Sequence, residues 1–227
     1  MKKASIVGVG LCALGVAGSA SAVPVPALKP VPSYEYNNPA GDPNPKYGDP
    51  IDRNVVKASI TSDGSNILVS ATLKEDEHGN SAGAVLDLYI DTDGNAATGG
   101  KAYWGKDAKP PKAGYEYRAQ LSVCLAYNEN VGACAGGAPQ PPKSRHARIV
   151  LDKFKGAPGA DLDGMNSESL ISGFTPASDP FTGRVLQGKI PYAKLGLKPG
   201  QAVRISARKG AVAGEQSFLP DFLLALK

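Results

Sequence analysis

Asp91, Asp93 and Asn95 recur at every second residue, with Gly94 between the last two and Thr98 following shortly after. Side-chain oxygens at this density suit a hard divalent cation, and Ca²⁺ takes six to eight oxygen ligands. The candidate metal ligands are therefore Asp91, Asp93, Asn95 and Thr98, with backbone carbonyls completing the set. The run is not an EF-hand. Counting from Asp91, the twelfth position is Ala102, where that motif needs a bidentate Glu. A second reading of the same residues stays open: a polar turn in which Asx side chains cap backbone N–H groups and no ion is bound. Asp161, Asp163 and Asp179 form a further acidic set.

Other chemistry is sparse. The sequence holds no GxSxG elbow, no HExxH helix and no phosphate loop. His78 sits in a charged connection and His146 on a strand facing solvent, neither beside a nucleophile. With Met165 these histidines are too few to favour haem ligation. The expectation is a protein that is not an enzyme. Tyr103 and Trp104 are the residues that can stack on a sugar face, and they serve equally well as an anchor packing a long loop.

The elements that must carry these groups read as strands. Leu86, Leu88 and Ile90 alternate with Asp87, Tyr89 and Asp91, so a period-two strand delivers Asp91 to a sheet end. Residues 54–61 and 66–74 are β-branched alternating runs flanking Asp63-Gly64, a hairpin signal. Residues 114–127 make the longest candidate strand, with Tyr115, Tyr117, Ala119 and Leu121 on one face and Glu116, Arg118 and Gln120 on the other. Further strands are expected over 144–152, 184–191, 202–208 and 218–226. The 155–183 stretch reads as a long loop with a short helical turn at 167–171, and 194–197 as another turn. Such spacing, with almost no helical period, argues an all-β fold: an antiparallel β-sandwich, immunoglobulin-like or jelly-roll-like, of about eight or more strands with long loops.

Composition sets the compartment and the excluded partners. Met1-Lys2-Lys3, an apolar run over 6–17 and Ala20-Ser21-Ala22 form a secretory signal over residues 1–22, cleaved after Ala22, which points to a secreted or periplasmic protein. The apolar run is too short and too glycine-broken to span a bilayer. Residues 23–50 carry eight prolines and read as an extended leader, with the sandwich domain over 51–227. In an exported chain Cys124 and Cys134 most simply form one disulfide. Loss of residues 1–22 removes Lys2 and Lys3 and leaves a net charge of +2, with no stripe of basic and aromatic residues. Nucleic acid is not an expected partner.

The run IDTDGNAATG at residues 90–99 resembles the IDTDxNxxTG loop of secreted bacterial β-sandwiches related to DOMON domains and family-nine carbohydrate-binding modules. KIPYAKLGLKPGQ at residues 189–201 is similar to the turn before a late strand in such proteins, and Leu219-Pro220-Asp221 to the "PD" before the last one. Together they cover roughly residues 50 to 227. The resemblance implies a β-sandwich and a non-catalytic module binding carbohydrate or another cell-envelope surface, with Tyr103 and Trp104 as the ligand-binding pair. The alternative is a structural or protein-interaction protein of the envelope that binds neither glycan nor metal.

Overall fold

The computed structural model describes residues 28–38, 55–73, 83–102, 113–125, 145–162, 166–176, 185–209 and 218–227. Within them the chain is almost all strand: β1 (Pro30–Val31), β2 (Ser33–Asn37), β3 (Val55–Ser62), β4 (Asn66–Leu73), β5 (Gly83–Asp91), β6 (Gly100–Ala102), β7 (Ala113–Tyr115), β8 (Tyr117–Leu125), β9 (Arg145–Phe154), β10 (Asp161–Leu162), β11 (Ser167–Pro176), β12 (Val185–Pro191), β13 (Ala202–Lys209) and β14 (Phe222–Ala225), with one helical turn, α1 (Tyr192–Leu195). A seven-stranded sheet in the order β1-β14-β13-β5-β8-β9-β11 faces a four-stranded sheet, β12-β4-β3-β2. The open, mostly antiparallel sandwich expected from periodicity is therefore present.

Period-two alternation decides which side chains fill the space between the sheets. Ala58 and Ile60 of β3, with Ile67, Val69 and Ala71 of β4, meet Leu86, Leu88 and Ile90 of β5, Leu121 of β8 and Ile205 of β13 in one core. The hairpin forms as its Asp-Gly signal demands. Asp63 Oδ1 accepts from the N–H groups of Ser65 and Asn66 at 2.9 and 2.8 Å, and β3 and β4 pair antiparallel behind it.

The outer face of the large sheet is also covered. A small sheet, β10-β6-β7, places Ala102, Tyr115 and Leu162 against Tyr89 in a second core. Both faces of β5 are thus buried, and its alternate residues Asp87, Tyr89 and Asp91 are no more than 1% exposed. Asp87 is sustained there by Arg118 and Arg208, which approach its two oxygens at 3.0 and 2.5 Å, and by the Gln120 amide at 3.0 Å. A buried carboxylate needs such partners, because removal from water costs several kcal/mol.

The structure differs from the sequence reading in four places. Residues 114–127 do not run as one strand: the chain breaks at Glu116, so Tyr115 packs in the second core while Tyr117 joins the first. Gly114, at φ +83°, lies within β7, two residues before the break. The 155–183 stretch holds β10 and β11 instead of a plain loop, and residues 167–171 are strand, not helix. β11 pairs with β9 along its whole length, and cross-strand hydrogen bonding overrides a weak local preference. The helical turn begins at Tyr192, two residues earlier than expected. Residues 30–37 of the leader are extended but woven into the fold: β1 pairs parallel with β14 and β2 antiparallel with β3, and the Tyr34 ring stacks on Phe222 at 4.2 Å. Among the described residues no helix is long and apolar enough to cross a membrane.

Candidate metal centre

The site lies where β5 ends and the chain turns back toward β6. Asp91 begins it with both carboxylate oxygens engaged. Its Oδ1 accepts from the N–H groups of Asp93 and Gly94 at 3.2 and 2.7 Å, an Asx turn that bends the loop. Its Oδ2 accepts from Arg204 Nε at 2.8 Å, with Arg204 Nη2 at 2.7 Å. Arg204 stands opposite Asp91 in the β13–β5 register. It also donates to the Ala113 carbonyl at 2.9 Å and lies over the Tyr115 ring at 4.8 Å.

Two further Asx caps carry the loop forward. Asp93 Oδ1 accepts from Asn95 N–H at 2.8 Å, and Asn95 Oδ1 from Ala97 N–H at 3.0 Å. The loop is then pressed on the β7–β8 junction at two glycines. A Cβ on Gly114 would lie 2.6 Å from Ala96 Cα, and one on Gly99 2.5 Å from the Tyr115 carbonyl oxygen. No other residue permits that approach.

This packing brings in Glu116, the residue absent from the sequence-derived set. Its N–H donates to the Ile90 carbonyl at 3.0 Å, and its Oε2 accepts from Thr92 N–H at 2.8 Å. Asp91, Asp93 and Glu116 each place one carboxylate oxygen within 4.8 Å of the others. Thr98 Oγ1 sits among them, 2.9 Å from Asp93 Oδ2, 2.8 Å from the Asn95 carbonyl and 3.2 Å from Glu116 Oε1. A hydroxyl carries one proton, so it satisfies only one of these acceptors at a time. The other oxygens draw on the loop's own donors, with Glu116 Oε2 taking both the N–H and the hydroxyl of Thr92 at 2.8 and 3.3 Å.

The electrostatics follow from that crowding. Burial, with Asp93 and Asp91 adding to it, holds the Glu116 carboxyl above its ordinary range despite the bonds from Thr92 and Thr98. Arg204 answers the charge of Asp91 at Oδ2. An all-oxygen donor set with excess negative charge fits a hard cation, and Asp93, Glu116, Thr98 Oγ1 and the Asn95 carbonyl would hold it. Asp91 lends charge and shape to the loop.

Of the expected site residues, the fold gathers Asp91, Asp93, Asn95 and Thr98 in one loop. The aromatic pair Tyr103 and Trp104 lies outside the described residues, as do Cys134 and hence its pairing with Cys124 in β8. Asp163, Asp179, Met165 and His78 are outside them too, while Asp161 stands in β10, paired with Lys101 of β6. In the sequence Glu116 is one of several polar residues on a strand face, and nothing in its neighbours marks it. No protein-family model, curated protein or solved structure matches the chain.

Proposed function

We propose that the protein is an exported, non-catalytic binding module for polysaccharide or another cell-envelope surface, and that its 91–98 loop, with Glu116, is held by Ca²⁺. The observation carrying the cation is the oxygen cluster in which carboxylates from two elements, Asp93 and Glu116, converge on the Thr98 hydroxyl. The signal over residues 1–22, the sandwich architecture and the resemblance at 90–99 support export and binding. Thermal unfolding with EDTA and with Ca²⁺ tests the ion. A ligand that binds only the folded state stabilises by about 2.7 kcal/mol at a hundredfold excess over Kd. For a chain of this size that raises Tm by about 5–10 °C. Glu116→Gln and Asp93→Asn should each remove the rise. Identical melts in EDTA and Ca²⁺ would leave the loop as a capped turn.

A second reading is favoured by one observation: both Asp91 oxygens are engaged within the protein. The loop then stands on its Asx caps and Arg204 alone, and the chain is a structural or protein-interaction component of the envelope. Glycan arrays probed with and without Ca²⁺ separate the two readings.

A further inference from the structure

The KIPYAKLGLKPGQ turn at residues 189–201 alternates buried anchors with exposed cations. Ile190, Tyr192, Leu195 and Leu197 are buried in the main core, and Tyr192 N–H donates to the Ser65 carbonyl at 2.9 Å. Gly196, left-handed at φ 68°, ends α1 after its single turn. With those anchors committed inward, Lys189, Lys194 and Lys198 are exposed. Lys227 N–H donates to Ser62 Oγ at 3.1 Å, which brings a fourth exposed lysine to the same hairpin. Asp63, the acid there, accepts from the N–H groups of Ser65 and Asn66 and from the Asn66 amide, which with the charge of Lys189 keep its carboxylate ionised. Among the described residues none of these lysines forms an ion pair with an acid. Four lysines beside the single carboxylate of Asp63 leave this hairpin end net positive, and a polyanion relieves the repulsion among like charges.

We propose that this end of the sandwich docks an acidic, carboxylate-bearing polysaccharide on Lys189, Lys194, Lys198 and Lys227. The exposed residues between the lysines include Ala193, Gly196, Pro199, Gly200 and Gln201. None is a large apolar group that would enter a membrane, and none is an aromatic that would stack a base. Gly200 N–H donates to the Leu226 carbonyl, and Leu226 N–H to that of Gln201. Shortly after them Arg204 meets Asp91, so the lysines and the 91–98 loop share one end of the molecule. The inference rests on the reading of the chain as a polymer-binding module, and not on whether the loop holds a cation.

Native gels cast with polygalacturonate, with EDTA throughout, test it against gels cast with neutral dextran and against phosphatidylglycerol vesicles. Retardation is expected in polygalacturonate only, and should vanish near 0.5 M salt, where screening acts over about 4 Å. Lys194→Glu/Lys198→Glu should weaken it at least about tenfold relative to polymer-free gels. Lys57→Glu/Lys153→Glu, exposed positions with the same change in net charge, should leave it intact. Equal loss in both double variants, or binding to vesicles instead, overturns the proposal. Retardation in dextran alone removes the lysine site while the polysaccharide reading stands. Retardation in neither polymer removes both.

Discussion

Asp91 and Arg204, 113 positions apart in sequence, meet in a buried ion pair with Asp91 Oδ2 2.8 Å from Arg204 Nε. This contact ties the loop after β5 to the start of β13. Arg204 Nη1 also stands 3.7 Å from Asp221 Oδ2, so the pair extends to the approach of β14.

Breaking the pair from either side should be costly. Arg204→Met or Asp91→Asn is expected to destabilise by about 3–5 kcal/mol, because the partner is left as an uncompensated buried charge or polar group. The double variant should recover part of that loss. Urea unfolding of all three closes the cycle, and strictly additive losses would show that the two residues act separately. Asp91 variants are therefore a poor probe of cation binding, since they unfold the loop for a different reason.

Glu116 predicts a pH dependence with a definite sign. Its carboxyl is held above the ordinary 4.5 by burial and by Asp93 and Asp91, so the folded state holds this proton more tightly than the unfolded state. Its favourable contribution is complete below the ordinary value and is lost as pH rises through the folded value. In EDTA, Glu116→Gln should be more stable than the wild type at neutral pH, with the gap closing in acid. Ca²⁺ should narrow the gap at neutral pH by stabilising the wild type. A gap that does not change with pH would mean that Glu116 is not strained.

Asp87 predicts the opposite slope. Burial pushes its carboxyl up, but Arg118 and Arg208, with Gln120, outweigh that and hold it below the ordinary 3.8. The contribution is present above the ordinary value and is lost as pH falls through the folded one. Asp87→Asn should lower stability at neutral pH by several kcal/mol and flatten the acid limb of the urea midpoint against pH. An unchanged acid limb would locate acid sensitivity elsewhere.

Gly114→Ala tests how the loop is seated. The added Cβ would lie 2.6 Å from Ala96 Cα at a residue with φ +83°. Both effects oppose the substitution, and a loss of at least about 2 kcal/mol in denaturant unfolding is expected. Gly94→Ala, at φ +70° with no heavy atom near its would-be Cβ, should cost about 1 kcal/mol from backbone strain alone. Equal losses at the two glycines would argue against close packing of the loop.

Much of the fold was legible because β-sheet burial is written with a period of two. The β3–β4 hairpin, β5, β9, β12 and β13 appear near their expected places, and Leu86, Leu88 and Ile90 of β5 enter the core on the face their alternation marked. The oxygen-rich loop was legible for a similar reason, since Asx caps act between residues two or three apart. Residues 114–127 misled because their alternation continues unbroken through Glu116, where the chain leaves β7 of the small sheet and enters β8 of the large one. β11 was hidden because its apolar groups are few and its pairing with β9 supplies the order.

The sequence alone determined the class of fold and the local chemistry of the 91–98 loop, because side-chain alternation and Asx turns act over a few residues. Only tertiary structure decided that Asp91 belongs to Arg204, that Glu116 completes the oxygen cluster, and that Asp87 and Tyr89 are buried. Those facts depend on strand order, which sets β13 and β8 on either side of β5. Strand order arises from long-range pairing, and no local pattern in the chain encodes which distant charge will stand opposite another.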